Sequence, residues 1–199
     1  LDEHQDTNDA QNLIVRRLDG TARVESRVWL RMLLSGLRTT MLITTRDPDE
    51  AMALGGHIVL LKGGMVEQGG TAADVYHEPI TQFAAEFMGQ SNRLEGMLVA
   101  NAGTRACIDV CGCQIVGITQ TRAAIGTMAT GVIRIARTQI GGGPGPNRIP
   151  MKLVAQICLG ERWEVVFVKD ALTVRAYVSA PLRHESYHVD FPPDAVWIF

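Results

Sequence analysis

The sequence predicts an α/β half followed by an all-β half, and three observations carry that reading. Up to about residue 90, apolar runs alternate with helical patterns that open on capping residues. Beyond it, helical periodicity gives way to short β-rich runs separated by turn residues, the pattern of a small barrel or sandwich. Within that second half, residues 92–100 (NRLEGMLVA) echo residues 147–155 (NRIPMKLVA), and each copy follows a Gly-bearing linker. Two similar β units are therefore expected.

Composition frames the possibilities. The 199 residues are 46% hydrophobic and 20% charged, as in a soluble globular protein of one ordinary domain or two small ones. A net charge of −2 leaves no basic footprint for nucleic acid. No apolar run approaches the ~20 residues of a membrane helix. The chain opens LDEHQD, without a Met and without a visible signal peptide, which suggests a fragment, a processed product or a trimmed form.

Element by element, a helix is expected over 24–37, where Val24, Val28, Met32 and Leu33 recur beside Arg23, Arg27 and Arg31. Residues 41–43 read as a short buried strand. Asp47 then caps a helix with Pro48 at its first position, Glu50 placed to close a capping box, and Gly55-Gly56 at its end. Lys62-Gly63-Gly64 joins 57–61 to 65–68 as a hairpin. Thr71 with Asp74 starts another helix, and 80–88 forms the last one, stopped by Gly89. The β runs follow at 94–100, 106–110, 114–118, 131–136, 151–157, 163–169, 172–178, 187–191 and 195–199, with GGGPGPN at 141–147 dividing them.

The order LDE at 1–3, Asp9-Ala10, RVWLR at 27–31, DEAMAL at 49–54, HIVLLKGGMVEQGGTAADVYHEP at 57–79 and TQFAAEFMGQSN at 81–92 resembles the C-terminal half of the ATP-binding subunit of an ABC importer. PNRIPMKLVAQICLG at 146–160 and DAVWIF at 194–199 extend the likeness over nearly the whole chain. The resemblance implies a partial P-loop ATPase domain over 1–90, followed by an OB-like TOBE domain over 91–199. GQSNRLEG is most similar to the polyamine-type branch.

On that resemblance, Asp2 would help to hold Mg²⁺, Glu3 would be the general base, and Asp9 would lie in the loop that crosses the dimer interface. Arg46 stands where the family keeps a switch histidine. It could contact a phosphate in a fork, or be a solvated loop arginine, but it supplies no neutral imidazole. Other departures point the same way. His4 follows Glu3 where the family has Pro, residues 6–9 read DTND, residues 12–22 form an extra stretch, and Arg134 is followed by Ile135-Ala136 where an Arg-Pro-Glu motif is expected. No G-x-x-x-x-G-K-[ST] occurs, so the phosphate cradle is missing. Leu34-Ser35-Gly36-Leu37 lies after the Asp-Glu pair, on the wrong side of it for the family's signature.

The expected function is therefore that of an ATP-binding subunit of an ABC-type importer, incomplete and inactive alone. By resemblance its cofactors are ATP and Mg²⁺, with none for the isolated chain. Its partners are transmembrane permease subunits, a second ATP-binding subunit and, indirectly, an external solute-binding protein. It would sit in the cytoplasm on the inner face of the membrane. The alternatives are a non-catalytic regulatory or interaction remnant, a decayed gene product and, more remotely, a zinc hydrolase at H-E-x-x-H, 184–188. Pro181 and Pro192-Pro193 bracket that last motif in a β-rich region, where a loop entering a strand is expected instead of a helix. Cys107, Cys111, Cys113 and Cys158 read as buried free thiols, since no fourth ligand lies at a finger-like distance from C-x3-C-x-C. Residues 1–90 by themselves are expected to be poorly stable, with exposed apolar surface.

Overall fold

The computed structural model describes residues 31, 32, 36 and 42–199. The chain divides into two compact units, Leu1–Ile58 and Val59–Phe199.

In the first unit, α1 (Pro48–Leu54) starts as its sequence dictates. Asp47 is extended, and its side chain accepts from the N–H groups of Asp49 and Glu50. Residues 31, 32 and 36, the described positions of the helix expected over 24–37, are helical, and Arg31 donates to the Ala53 carbonyl. Met32, read as part of a core stripe, is exposed. The strand expected at 41–43 is not seen at its described positions. Residues 42–45 have no regular structure and Leu42 is 91% exposed. A strand needs a neighbour for its N–H and C=O groups, and no described residue pairs with these. The partial P-loop α/β domain is accordingly not evident among the described residues, whose helices are short.

A hairpin of β1 (Ile58–Lys62) and β2 (Met65–Gly70) follows, all but its first residue in the second unit. Its turn residues Gly63 and Gly64 both have positive φ, 58° and 82°, as a two-residue turn matched to strand twist requires. Val59, Leu61, Met65 and Val66 on this hairpin are exposed. A full capping box of Thr71 and Asp74 starts α2 (Ala72–His77), and Thr81 caps α3 (Gln82–Phe87). The buried Gln68 amide binds the link between these helices. It donates to the Glu78 carbonyl and accepts from the Ile80 N–H.

The rest is β. A closed five-stranded barrel runs β12-β5-β4-β3-β6, from β3 (Ser91–Ala102), β4 (Arg105–Val110), β5 (Cys113–Thr119), β6 (Met128–Arg134) and β12 (Val196–Ile198). A second, open sheet runs β10-β9-β8-β11-β7, from β7 (Gln139–Gly141), β8 (Arg148–Cys158), β9 (Trp163–Lys169), β10 (Leu172–Val178) and β11 (Ser186–Asp190). The barrel is OB-like. Short 3-10 turns, Ile135–Arg137 and Pro193–Ala195, precede β7 and β12.

The sequence echo is a structural repeat. Each copy is a long strand, three further strands, a 3-10 turn and a short strand. The bulges fall at equivalent places, between Leu98 and Ala100 in β3 and between Leu153 and Ala155 in β8. The short last strands are exchanged. β7, from the first copy, pairs with β11 of the second, and β12, from the second, closes the barrel of the first between β5 and β6. At Gly117 a side chain would lie 2.7 Å from the Val196 carbonyl, so only glycine lets β12 approach β5 there. One apolar core, including Leu98, Ile108 and Ile133 of the barrel and Phe167, Val174 and Phe191 of the second copy, spans both sheets.

Candidate functional site

The described residue with a sequence-derived catalytic role is Arg46, and its surroundings follow from the cap of α1. The exposed Arg46 sits one residue before Asp47 and lines a depression of about 380 Å³ with Ile43, Thr44, Thr45 and Glu50. Thr45 organises the floor. Its hydroxyl donates to Glu50 Oε2 at 2.8 Å and accepts from the Asp47 N–H at 3.0 Å. Glu50, which the sequence placed in a capping box with the Asp47 backbone, is held by Thr45, and Thr45 takes the N–H that the box would have used. The site thus presents a guanidinium beside two threonines above a buried carboxylate. Its one described cation is free to meet an anion from solvent. Asp2, Glu3 and Asp9, the other residues assigned chemistry, lie outside the described residues.

The second unit holds a residue that the sequence marked only as the start of a broken Arg-Pro-Glu motif, without showing that it is buried. Arg134, at the end of β6, is 2% exposed, and among the described residues no carboxylate pairs with it. Nη1 donates to the Ala85 carbonyl, to the Gly89 carbonyl at 3.0 Å and to Ser91 Oγ at 2.9 Å. Nη2 reaches the Tyr76 carbonyl at 3.5 Å. The guanidinium lies over the rings of Tyr76 and Trp197, at 4.7 and 5.4 Å. Burial lowers its pKa, and Tyr76 opposes that shift. Carbonyl groups and aromatic faces offset the desolvation of the charge, and the result ties α2 and α3 to the barrel.

The remaining motifs resolve structurally. His184 and Glu185 precede β11 and His188 lies within it, so H-E-x-x-H has no helix. The Tyr187 hydroxyl accepts from the N–H groups of Arg183 and His184. Among the described residues no group of His, Cys, Asp and Glu is placed to hold a metal ion. All four thiols are free, but only Cys107 is buried; Cys111 and Cys158 are exposed and Cys113 is half-buried, which corrects the expectation of buried thiols. No described helix is long and apolar enough to cross a membrane.

No family model matches the chain. Over 79 residues it is 43% identical to the sulfate/thiosulfate import ATP-binding protein CysA of Yersinia pseudotuberculosis serotype I (strain IP32953). Two-fifths of the chain is homologous to an import ATP-binding protein. The matched stretch is 40% of this chain and 22% of that relative, so the chain spans about a fifth of the relative's length. Among solved structures, the cytoplasmic molybdate-binding protein ModG, with molybdate bound, is similar to 55% of this chain over 95% of its own length. That likeness has 12% identity and a TM-score of 0.46, and carries no functional reading.

Proposed function

We propose that the chain is the C-terminal part of the ATP-binding subunit of an ABC importer, with residues 1–90 ending the nucleotide-binding domain and residues 91–199 forming a TOBE-type β domain. The observation that carries this reading is the 43% identity over 79 residues to an import ATP-binding protein. The OB-like barrel agrees with it. In the whole subunit Asp2 would help to hold Mg²⁺, Glu3 would activate water and Asp9 would contact a second copy. Arg46 would meet the γ-phosphate by donating in a fork. Because Arg46 cannot accept a proton, it would bind the anion without turning the water toward it, and hydrolysis would be slow. With no phosphate loop in its 199 residues, the chain alone hydrolyses no ATP. Permease subunits at the inner face of the membrane, a second ATP-binding subunit and an external solute-binding protein are the partners this implies. GQSNRLEG favours a polyamine as the solute, whereas the relative's name favours sulfate or thiosulfate.

A chimera tests this. Residues 42–92 of this chain replace the corresponding segment of the Yersinia CysA protein, and sulfate uptake and ATP hydrolysis are measured with its permease. The expected outcome is an assembled transporter whose hydrolysis is slowed about a hundredfold and is restored by Arg46→His. Failure to assemble would refute the subunit reading. Assembly without hydrolysis in either form would favour the second reading, a non-catalytic regulatory remnant, which the arginine at position 46 already supports.

A further inference from the structure

Two hairpin tips meet in the second unit, and both thiols of a C-x-C pair lie at one of them. Cys111 and Gly112 are the two-residue turn between β4 and β5, closed by the pairing of Val110 with Cys113. Both have positive φ, 51° and 75°. Turns of this type favour Asn or Gly at such positions, so a cysteine at Cys111 carries a local backbone cost. The neighbouring tip, between β9 and β10, supplies Lys169 and Asp170. Lys169 Nζ donates to Cys113 Sγ at 3.6 Å, and Asp109 accepts from the Gly112 N–H, which fixes the turn. Cys111 is exposed and Cys113 half-buried. Burial first and Asp170 next push the Cys111 thiol above its ordinary value, while Lys169 acts in the opposite sense.

We propose that Cys111 and Cys113 form a thiol–disulfide exchange site that reacts with a small disulfide such as glutathione disulfide and closes to an intrachain disulfide. Two Cα–Cα steps of about 3.8 Å, bent at left-handed Gly112, bring the two Cα atoms within the roughly 7 Å a disulfide tolerates. In the first step Cys113 loses its proton and its sulfur attacks one sulfur of glutathione disulfide. That S–S bond breaks, and one glutathione leaves as thiolate and takes up a proton. The Lys169 ammonium meets the charge on the attacking sulfur. In the second step the Cys111 thiol loses its proton and attacks Sγ of Cys113, expelling the second glutathione. Two protein thiols are oxidised, one glutathione disulfide is reduced to two thiols, and protons and electrons balance. Cys107, buried on β4, and Cys158, on β8, take no part.

The full chain is incubated with glutathione disulfide, trapped with an alkylating agent, cleaved after Arg105 and Arg122, and weighed. The expected result is a 106–122 peptide lighter by two hydrogens apart from a single alkyl group on Cys107. Cys111→Ser should stop the reaction at a glutathione adduct on Cys113. Lys169→Met should slow the first step about fivefold, with the rate recovered in Lys169→Arg. A 106–122 peptide that keeps both hydrogens, or a disulfide that includes Cys107, would overturn the proposal. An unchanged rate in Lys169→Met would overturn the role given to Lys169.

Discussion

Asn92 and Asn147 occupy the same place in the two copies and make the same kind of bond. The Asn147 amide accepts from the Val116 N–H at 2.9 Å and donates to the carbonyls of Val116 and Phe191, both at 2.7 Å. Asn92 accepts from the Arg175 N–H at 2.8 Å and donates to the Arg175 carbonyl at 2.7 Å and to Thr138 Oγ1 at 3.0 Å. Each side chain therefore acts as one rung of a β ladder, on a strand of the opposite copy. The pairing of β12 with β5 begins at Ile118, and Asn147 serves Val116 beyond its end. Removing such an amide leaves backbone groups unsatisfied at about 1–3 kcal/mol. Asn92→Ala should cost about 2 kcal/mol in a urea melt. Asn147→Ala should cost about 3 kcal/mol, because φ of 56° also strains an alanine there. Equal stability of either variant and the parent would show that these amides are dispensable.

At the scale of elements, α3 is too short to persist without tertiary support. Arg134 gives that support by donating to the Ala85 and Gly89 carbonyls near its end, while Ala85 packs with Val132 and Trp197 of the barrel. Arg134→Met fills similar space but provides no donors. Amide hydrogen exchange over 82–91 should rise at least about tenfold, with exchange in β4 and β5 little changed. Lysine should not substitute, because an ammonium is not a planar fork that can stack between Tyr76 and Trp197 while reaching several carbonyls. Acceleration spread evenly over the barrel would mean that Arg134 supports the whole unit and is not a local joint.

For the molecule as a whole, the exchanged strands make each β copy depend on the other. Val196 and Ile198 are fully buried and Trp197 nearly so, yet all three come from the far end of the chain. Deleting residues 191–199 would expose the edges of β5 and β6 and remove Phe191 from the shared core. At about 1.5–3 kcal/mol for each large apolar side chain, the loss rivals the entire stability of an ordinary domain. The shortened chain should bind a dye for exposed apolar surface and lose its cooperative melt. A cooperative melt at the parent temperature would mean that the barrel closes without β12.

Much of this was legible in the residues, and the pattern of what was legible has a physical cause. Asp47 with Pro48, Thr71 with Asp74 and Gly63 with Gly64 announced caps and a turn, because each satisfies groups within a few positions of itself. Alternation marked most β runs, and the echo at 92–100 and 147–155 marked the repeat. At the candidate site, the cap and the exposed position of Arg46 were readable. The bond of Thr45 to Glu50 was not, since two acceptors for one N–H look equally good in a string of letters. The three residues of β7 carried too little pattern to be seen. Tertiary structure alone decided which copy β7 and β12 join, what the two asparagines bind, and that Arg134 is a buried joint. Each of those outcomes depends on donors and acceptors that lie far apart in the chain and meet only after the core has formed.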